Sequence, residues 1–115
     1  MALSDLFRSG PTWIEPAELA AEIEAPSPPL IVDVRSPAEF DGPLGHIAGA
    51  ANIPLDQFAQ RAAEAAAPGR RTILVCHTDR RSSAADKFLR DNGASETAVL
   101  RGGMVAWTQA GLPRG

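Results

Sequence analysis

The sequence predicts an α/β fold: a central, roughly five-stranded parallel sheet with helices on both faces. Three observations carry this expectation. Short apolar runs alternate with stretches of helix formers along the 115 residues, the order that lays helices over a parallel sheet. Two runs, Leu30 to Val34 and Thr72 to Cys76, are almost continuously apolar, as strands covered on both faces are. Glycines and prolines, ten of each, fall mainly between the runs, at Gly10-Pro11, Pro26 to Pro29, Gly42 to Gly49 and Pro68-Gly69. There they mark loops inside one domain.

Taken in order, Trp13-Ile14 starts the sheet and Trp13 is expected to anchor it. Pro16, at a first-turn position, leads into a helix over Ala17 to Glu24. Leu30 to Val34 forms a central strand and Ala51 to Ile53 a shorter one. Good helix formers from Leu55 to Ala66 predict a helix stopped by Pro68-Gly69. Thr72 to Cys76 is the second central strand. Ala84, Ala85, Phe88 and Leu89 recur at helical spacing, so Arg81 to Asn92 reads as a helix with Gly93 as its C′ residue. Thr97 to Leu100 is a further strand, and Gly102-Gly103 opens a last helix in which Met104 and Trp107, like Phe88 before them, are expected to pack.

Composition narrows the functions. The chain is 44% apolar, enough for a domain of this size to bury roughly two thirds of its unfolded surface. Residues 1–115 are therefore expected to form a single domain, with 1–10 a short flexible N-terminal segment. Eleven basic against fourteen acidic residues give a net charge of −3 with no basic block, which argues against nucleic acid as a partner. No stretch approaches a membrane span and the start has no basic n-region, so a soluble, cytoplasmic protein is expected. With no heptad or large apolar stripe, a monomer is the expectation. A single cysteine rules out an internal disulfide and a multi-thiolate zinc site. With two histidines and no nucleotide-binding glycine motif, neither metal nor cofactor is expected.

The chemistry concentrates where a central strand ends, at Cys76-His-Thr-Asp-Arg-Arg-Ser82. Amides of a tight loop and of a helix first turn have no internal acceptor, so they can converge on an anion. Arg80 and Arg81 in the same loop favour the thiolate, while Asp79 opposes it. Composition and position alone leave two readings open, a nucleophile and a buried small hydrophobe.

Three segments together resemble the rhodanese family of sulfurtransferases. Ile31 to Phe40 followed by Gly45 to Pro54 is similar to the family's first signature, Leu100 to Trp107 to its last, and Cys76 to Ser82 to its six-residue cysteine loop. The resemblance implies a rhodanese-like fold with Cys76 as the nucleophile and the loop amides of His77, Thr78, Asp79, Arg80, Arg81 and Ser82 binding a small anionic sulfur donor such as thiosulfate. Sulfane sulfur would pass through a Cys76 persulfide. With no second thiol in the chain, discharge would go to an external acceptor: cyanide, a thiol or a sulfur-carrier protein.

Departures from the family pattern also carry expectations. His77 and Thr78 replace the residues that mark thiosulfate or mercaptopyruvate specialists. Asp79 stands where many relatives have glycine, a position expected to need a left-handed backbone. The stretch between Phe40 and His46 is about two residues longer than usual, which a surface loop tolerates. Asp33, Arg35 and His46 are expected to support the strand ends rather than react, and His77 either assists a leaving group or faces solvent. Arg80 and Arg81 are expected to clamp the anionic donor, unless one of them pairs instead with a carboxylate such as Asp33 or Glu39. Two alternatives stand beside sulfur transfer. One is a non-catalytic binding or redox-sensing module. The other is an oxyanion enzyme acting on phosphate or arsenate, which the loop disfavours because one residue fewer separates Cys76 from Arg81 than such sites have.

Overall fold

The computed structural model describes residues 10–67 and 69–115. The expected flexible segment, except for Gly10, and Pro68 of the expected helix stop lie outside the described residues.

Five parallel strands form one sheet in the order β1-β5-β4-β2-β3. They are β1 (Trp13–Ile14), β2 (Leu30–Asp33), β3 (Ala51–Asn52), β4 (Thr72–Val75) and β5 (Thr97–Leu100). The helices are α1 (Pro16–Ile23), α2 (Pro37–Phe40), α3 (Leu55–Arg61), α4 (Arg80–Asp91) and α5 (Gly103–Gln109). Successive strand residues point to opposite faces. Ile31, Ile73 and Val75 accordingly pack with Leu19 of α1 and with Met104 and Trp107 of α5. Val32, Leu74 and Cys76 pack on the other side with Phe58 of α3 and with Ala85 and Leu89 of α4. Each fully buried large apolar side chain contributes about 1.5–3 kcal/mol. Among the described residues no helix is long and apolar enough to cross a membrane.

Local chemistry explains the boundaries. Glu15 and Glu18 form a capping box at the start of α1, with Pro16 in its first turn. Arg101 bridges to Glu15 at 2.7 Å and lies 4.7 Å over the Trp13 ring, which anchors the edge strand. Gly93, at φ +95°, follows the C-cap of α4 as expected.

Several elements differ from the sequence reading, most of them by a residue at an end. The central strands end one residue early, at Asp33 and Val75: the Val34 carbonyl accepts the Leu55 amide and the Cys76 carbonyl the Met104 amide, both outside the sheet. The helix expected over Leu55 to Ala66 gives way at Ala62 to a 3₁₀ turn, Ala62–Ala65, where the Thr72 hydroxyl takes the Ala65 carbonyl at 2.8 Å. The short helix α2 was not expected. Its signal is the Ser36-Pro37-x-Glu39 capping box, with Pro37 at N1 and the Ser36 and Glu39 side chains each bound to the other's backbone amide.

The topology places the site. The chain leaves β2 towards β3 on one side and leaves β4 towards β5 on the other, so a crevice opens beyond the carboxyl ends of these adjacent strands. Asp33 and Val75 are register partners, which puts Val34 and Cys76 side by side as the chain leaves the sheet.

Candidate active site

Cys76 stands directly after β4, 1% exposed, at the base of the loop that leads into α4. The loop is held from behind by the start of α5. The Cys76 and His77 carbonyls accept the Met104 and Val105 amides at 2.9 and 3.1 Å. Gly103 lies so close that a Cβ there would overlap the carbonyl oxygens of Cys76, His77 and Thr78. C=O and N–H point oppositely across a trans peptide, so the His77, Thr78 and Asp79 amides are turned away from α5. None of the six amides from His77 to Ser82 has an acceptor among the described residues. A run of donors without acceptors beside the first turn of a twelve-residue helix has the chemistry to receive an anion.

Within the loop, Cys76 Sγ lies 3.1 Å from Ser82 Oγ, and Ser82 Oγ lies 3.2 Å from the Asp79 carbonyl oxygen. Ser82 has one hydroxyl proton. With a thiol, Cys76 donates to Ser82, which donates to Asp79. With a thiolate, the hydroxyl turns and donates to sulfur. Both side chains are buried, so this exchange takes place out of water.

The charged groups divide into two pairs. Asp33 and Arg35, each 1% exposed, form a bidentate ion pair in which Arg35 Nε and Nη2 donate at 2.9 and 2.7 Å. Arg35 also donates to the carbonyls of Glu39 and Gly45, and Asn52 Nδ2 binds those of Asp33 and Arg35. The pair thus fastens the end of β2 to α2 and to the Gly45 loop. Arg81, in the first turn of α4, donates to both oxygens of Glu39 at 2.7 and 2.9 Å. The Arg81 hydrogen bond, supported by Ser36, holds the Glu39 carboxyl down at about 2 against an ordinary 4.5. The same bond raises Arg81, with smaller contributions from the charges of Cys76 and Asp33.

The structure places the remaining expected residues unequally. His77, Thr78 and Arg80 are exposed at the loop surface. His46 stacks on Phe40 with ring centroids 3.7 Å apart and binds the Phe40 carbonyl through Nδ1 at 2.9 Å. Asp79 does not adopt the expected left-handed backbone: its φ is −132°, an ordinary value for an L-residue, and its carboxylate accepts the Gly102 amide at 2.7 Å. Two large geometric roles were not read from the sequence, the packing of Gly103, named there only as a helix opener, against the cysteine loop, and that of Asn52. The adjacent Gly102-Gly103, both at positive φ, was the readable signal for the first; a lone asparagine after a short strand offered none. Two hollows flank the loop. One of about 330 Å³ is lined by Val34, Ser36, Leu55 and Arg81, and one of about 260 Å³ by Arg35, Glu39, Leu44 and His77. Among the described residues no three His, Cys, Asp or Glu side chains group as a metal site.

A family model described as a rhodanese-like domain matches residues 15–110. The chain belongs to this family. It is 44% identical over 77 residues to the uncharacterized protein YqhL of Bacillus subtilis, covering 67% of this chain and 59% of that protein's own length. It is 34% identical over 84 residues to a sulfurtransferase of Allochromatium vinosum, covering 73% of this chain and 76% of the relative. Among solved structures, a thiosulfate sulfurtransferase of Pseudomonas aeruginosa superposes with a TM-score of 0.79 at 28% identity, over 90% of this chain and 20% of that one.

Proposed function

We propose that the protein is a sulfurtransferase that carries sulfane sulfur on Cys76. The observation that carries this reading is the loop itself, in which the only cysteine is followed by six amides without an acceptor among the described residues and has a buried hydroxyl 3.1 Å from its sulfur. The sulfurtransferase names among its relatives support it.

The Cys76 thiolate attacks the outer sulfur of a donor such as thiosulfate. A new S–S bond forms, the donor's S–S bond breaks, and sulfite leaves with the bonding pair. The persulfide that remains is an anion, and the amides of His77 to Ser82 stabilise it as they would the developing charge of the transition state. The Ser82 hydroxyl serves the anionic forms by turning from the Asp79 carbonyl to sulfur. Attack on the outer sulfur by an external acceptor then breaks the persulfide bond and restores the thiolate. With cyanide the product is thiocyanate. Arg35, Asp33 and His46 hold the frame and touch no reacting atom.

Intact mass tests this directly. Reduced protein exposed briefly to excess thiosulfate gains one sulfur atom, loses it to cyanide, and gains none as Cys76→Ser. The cyanide step separates a persulfide from a sulfinic acid, which cyanide does not reverse. A wild-type chain that takes up no sulfur overturns the reading.

A further inference from the structure

One cation of the cysteine loop, Arg81, is already occupied. Arg81 immediately precedes Ser82, whose hydroxyl touches the Cys76 sulfur, and its guanidinium senses the Cys76 charge. Both ends of its fork lie on the Glu39 carboxylate. Ser36 donates to the same carboxylate at 3.1 Å and fixes its position. Glu39 belongs to α2, which the Arg35 contact with the Glu39 carbonyl holds in place. The pair is therefore built into the frame, with Arg81 lining one hollow beside the loop and Glu39 the other.

Charge then decides what enters. A dianion brought to the Cys76 thiolate finds Arg81 already bidentate on Glu39, so the pair offers it no net positive charge. A singly charged donor meets the same amides at a smaller repulsive cost.

We propose that Glu39 is a specificity-determining residue: by holding Arg81 it makes the loop favour singly charged sulfane donors of the thiosulfonate class over dianionic thiosulfate. The proposal rests on the sulfur-transfer reading for the meaning of the anion, not for its test. For methanethiosulfonate the step balances as for thiosulfate. Sγ bonds to the terminal sulfur, the S–S bond to the sulfonyl group breaks, and methanesulfinate leaves with the pair.

The test is binding to the unreactive Cys76→Ser protein, followed by the amide resonances of His77 to Ser82 during titration with thiosulfate or methanethiosulfonate. Gln is a capping-box residue at the position Glu39 occupies, so Glu39→Gln keeps α2, and the same spectra report the fold; Glu39→Ala is a second variant. In the Glu39 parent, methanethiosulfonate binds more tightly than thiosulfate. On Glu39→Gln, thiosulfate affinity rises up to about fivefold, the scale of an exposed ion pair that no longer has to be broken to free Arg81, and methanethiosulfonate changes much less. Adding Arg81→Gln abolishes the gain. A merely structural Glu39 predicts the reverse, weaker binding of both anions. An unchanged ratio of the two affinities, a loss of affinity, or no binding of either anion overturns the proposal. If wild-type protein takes up no sulfur while the ratio shifts as stated, sulfur transfer falls and the role of Glu39 stands; normal uptake with an unchanged ratio does the opposite.

Discussion

The Gly102 amide donates to Asp79 Oδ1 across 2.7 Å, tying the cysteine loop to the turn that opens α5. Asp79 is also the residue before α4, and its carbonyl is within reach of the Ser82 hydroxyl. One residue thus ties two helix starts together through its side chain and positions the sulfur's hydrogen-bond partner through its backbone carbonyl.

Asp79→Ala is expected to cost about 1.5–3 kcal/mol, the range for a hydrogen bond to a charged group, whereas Asp79→Asn keeps an acceptor and loses less. Urea titration reads both. The midpoint falls while the slope stays constant, since the surface exposed on unfolding is unchanged.

Gly103→Ala should be far worse than a glycine change elsewhere. A Cβ would come within 2.7 Å of the His77 carbonyl and 2.5 Å of that of Thr78, at φ +55°. Loss of more than about 3 kcal/mol is expected, with the loop displaced. Gly93→Ala, at φ +95° with nothing nearby, pays only the left-handed penalty of about 1–2 kcal/mol. Equal midpoints for the two variants would contradict this account of the loop.

Two buried carboxylates should differ in how much their removal costs. Asp33→Ala leaves Arg35 charged and almost fully buried, at a cost of about 3–5 kcal/mol. Asp86 is also buried, but one of its oxygens has no partner among the described residues and the other binds Arg90, whose side chain is 21% exposed. Asp86→Ala removes an unsatisfied group and leaves a hydrated arginine, so less than about 1 kcal/mol is lost. Denaturation midpoints of the two variants give the comparison.

Acid should weaken the Glu39–Arg81 strap. The Glu39 carboxyl titrates at about 2 in the fold against an ordinary 4.5. A depressed folded value means stability present above the unfolded value and lost as protons bind, so the contribution is full above pH 5 and fades between about 4.5 and 2. Both side chains are over a third exposed, which limits the total to about 1 kcal/mol or less. The stability gap between wild type and Glu39→Gln, measured at pH 7 and at pH 2.5 in low salt, should narrow markedly at the lower value. A gap that does not change shows that the carboxylate charge does not stabilise the fold.

Most of the scaffold was legible from the chain because its signals are local. Continuous apolar runs marked β2 and β4, helical spacing of Ala85 and Leu89 marked α4, and Gly93 its end. The Cys76 loop was legible through a strand end followed by a helix start. The 3₁₀ ending after α3 was not, because it answers to the Thr72 hydroxyl reaching the Ala65 carbonyl. Nor was the backbone of Asp79, which the Gly102 amide stabilises from a turn 23 residues away.

Sequence by itself determined the alternation of strand and helix, the place of the lone thiol at a strand end, and the family motifs around it, since each is written in neighbouring residues. Tertiary structure alone decided which charges are free to act. Arg81 and Glu39 lie 42 positions apart, and Gly103 and Cys76 are brought together only when α5 seats behind the loop. Electrostatics and close packing depend on distance in space, and only the folded sheet brings those residues within a hydrogen bond of one another.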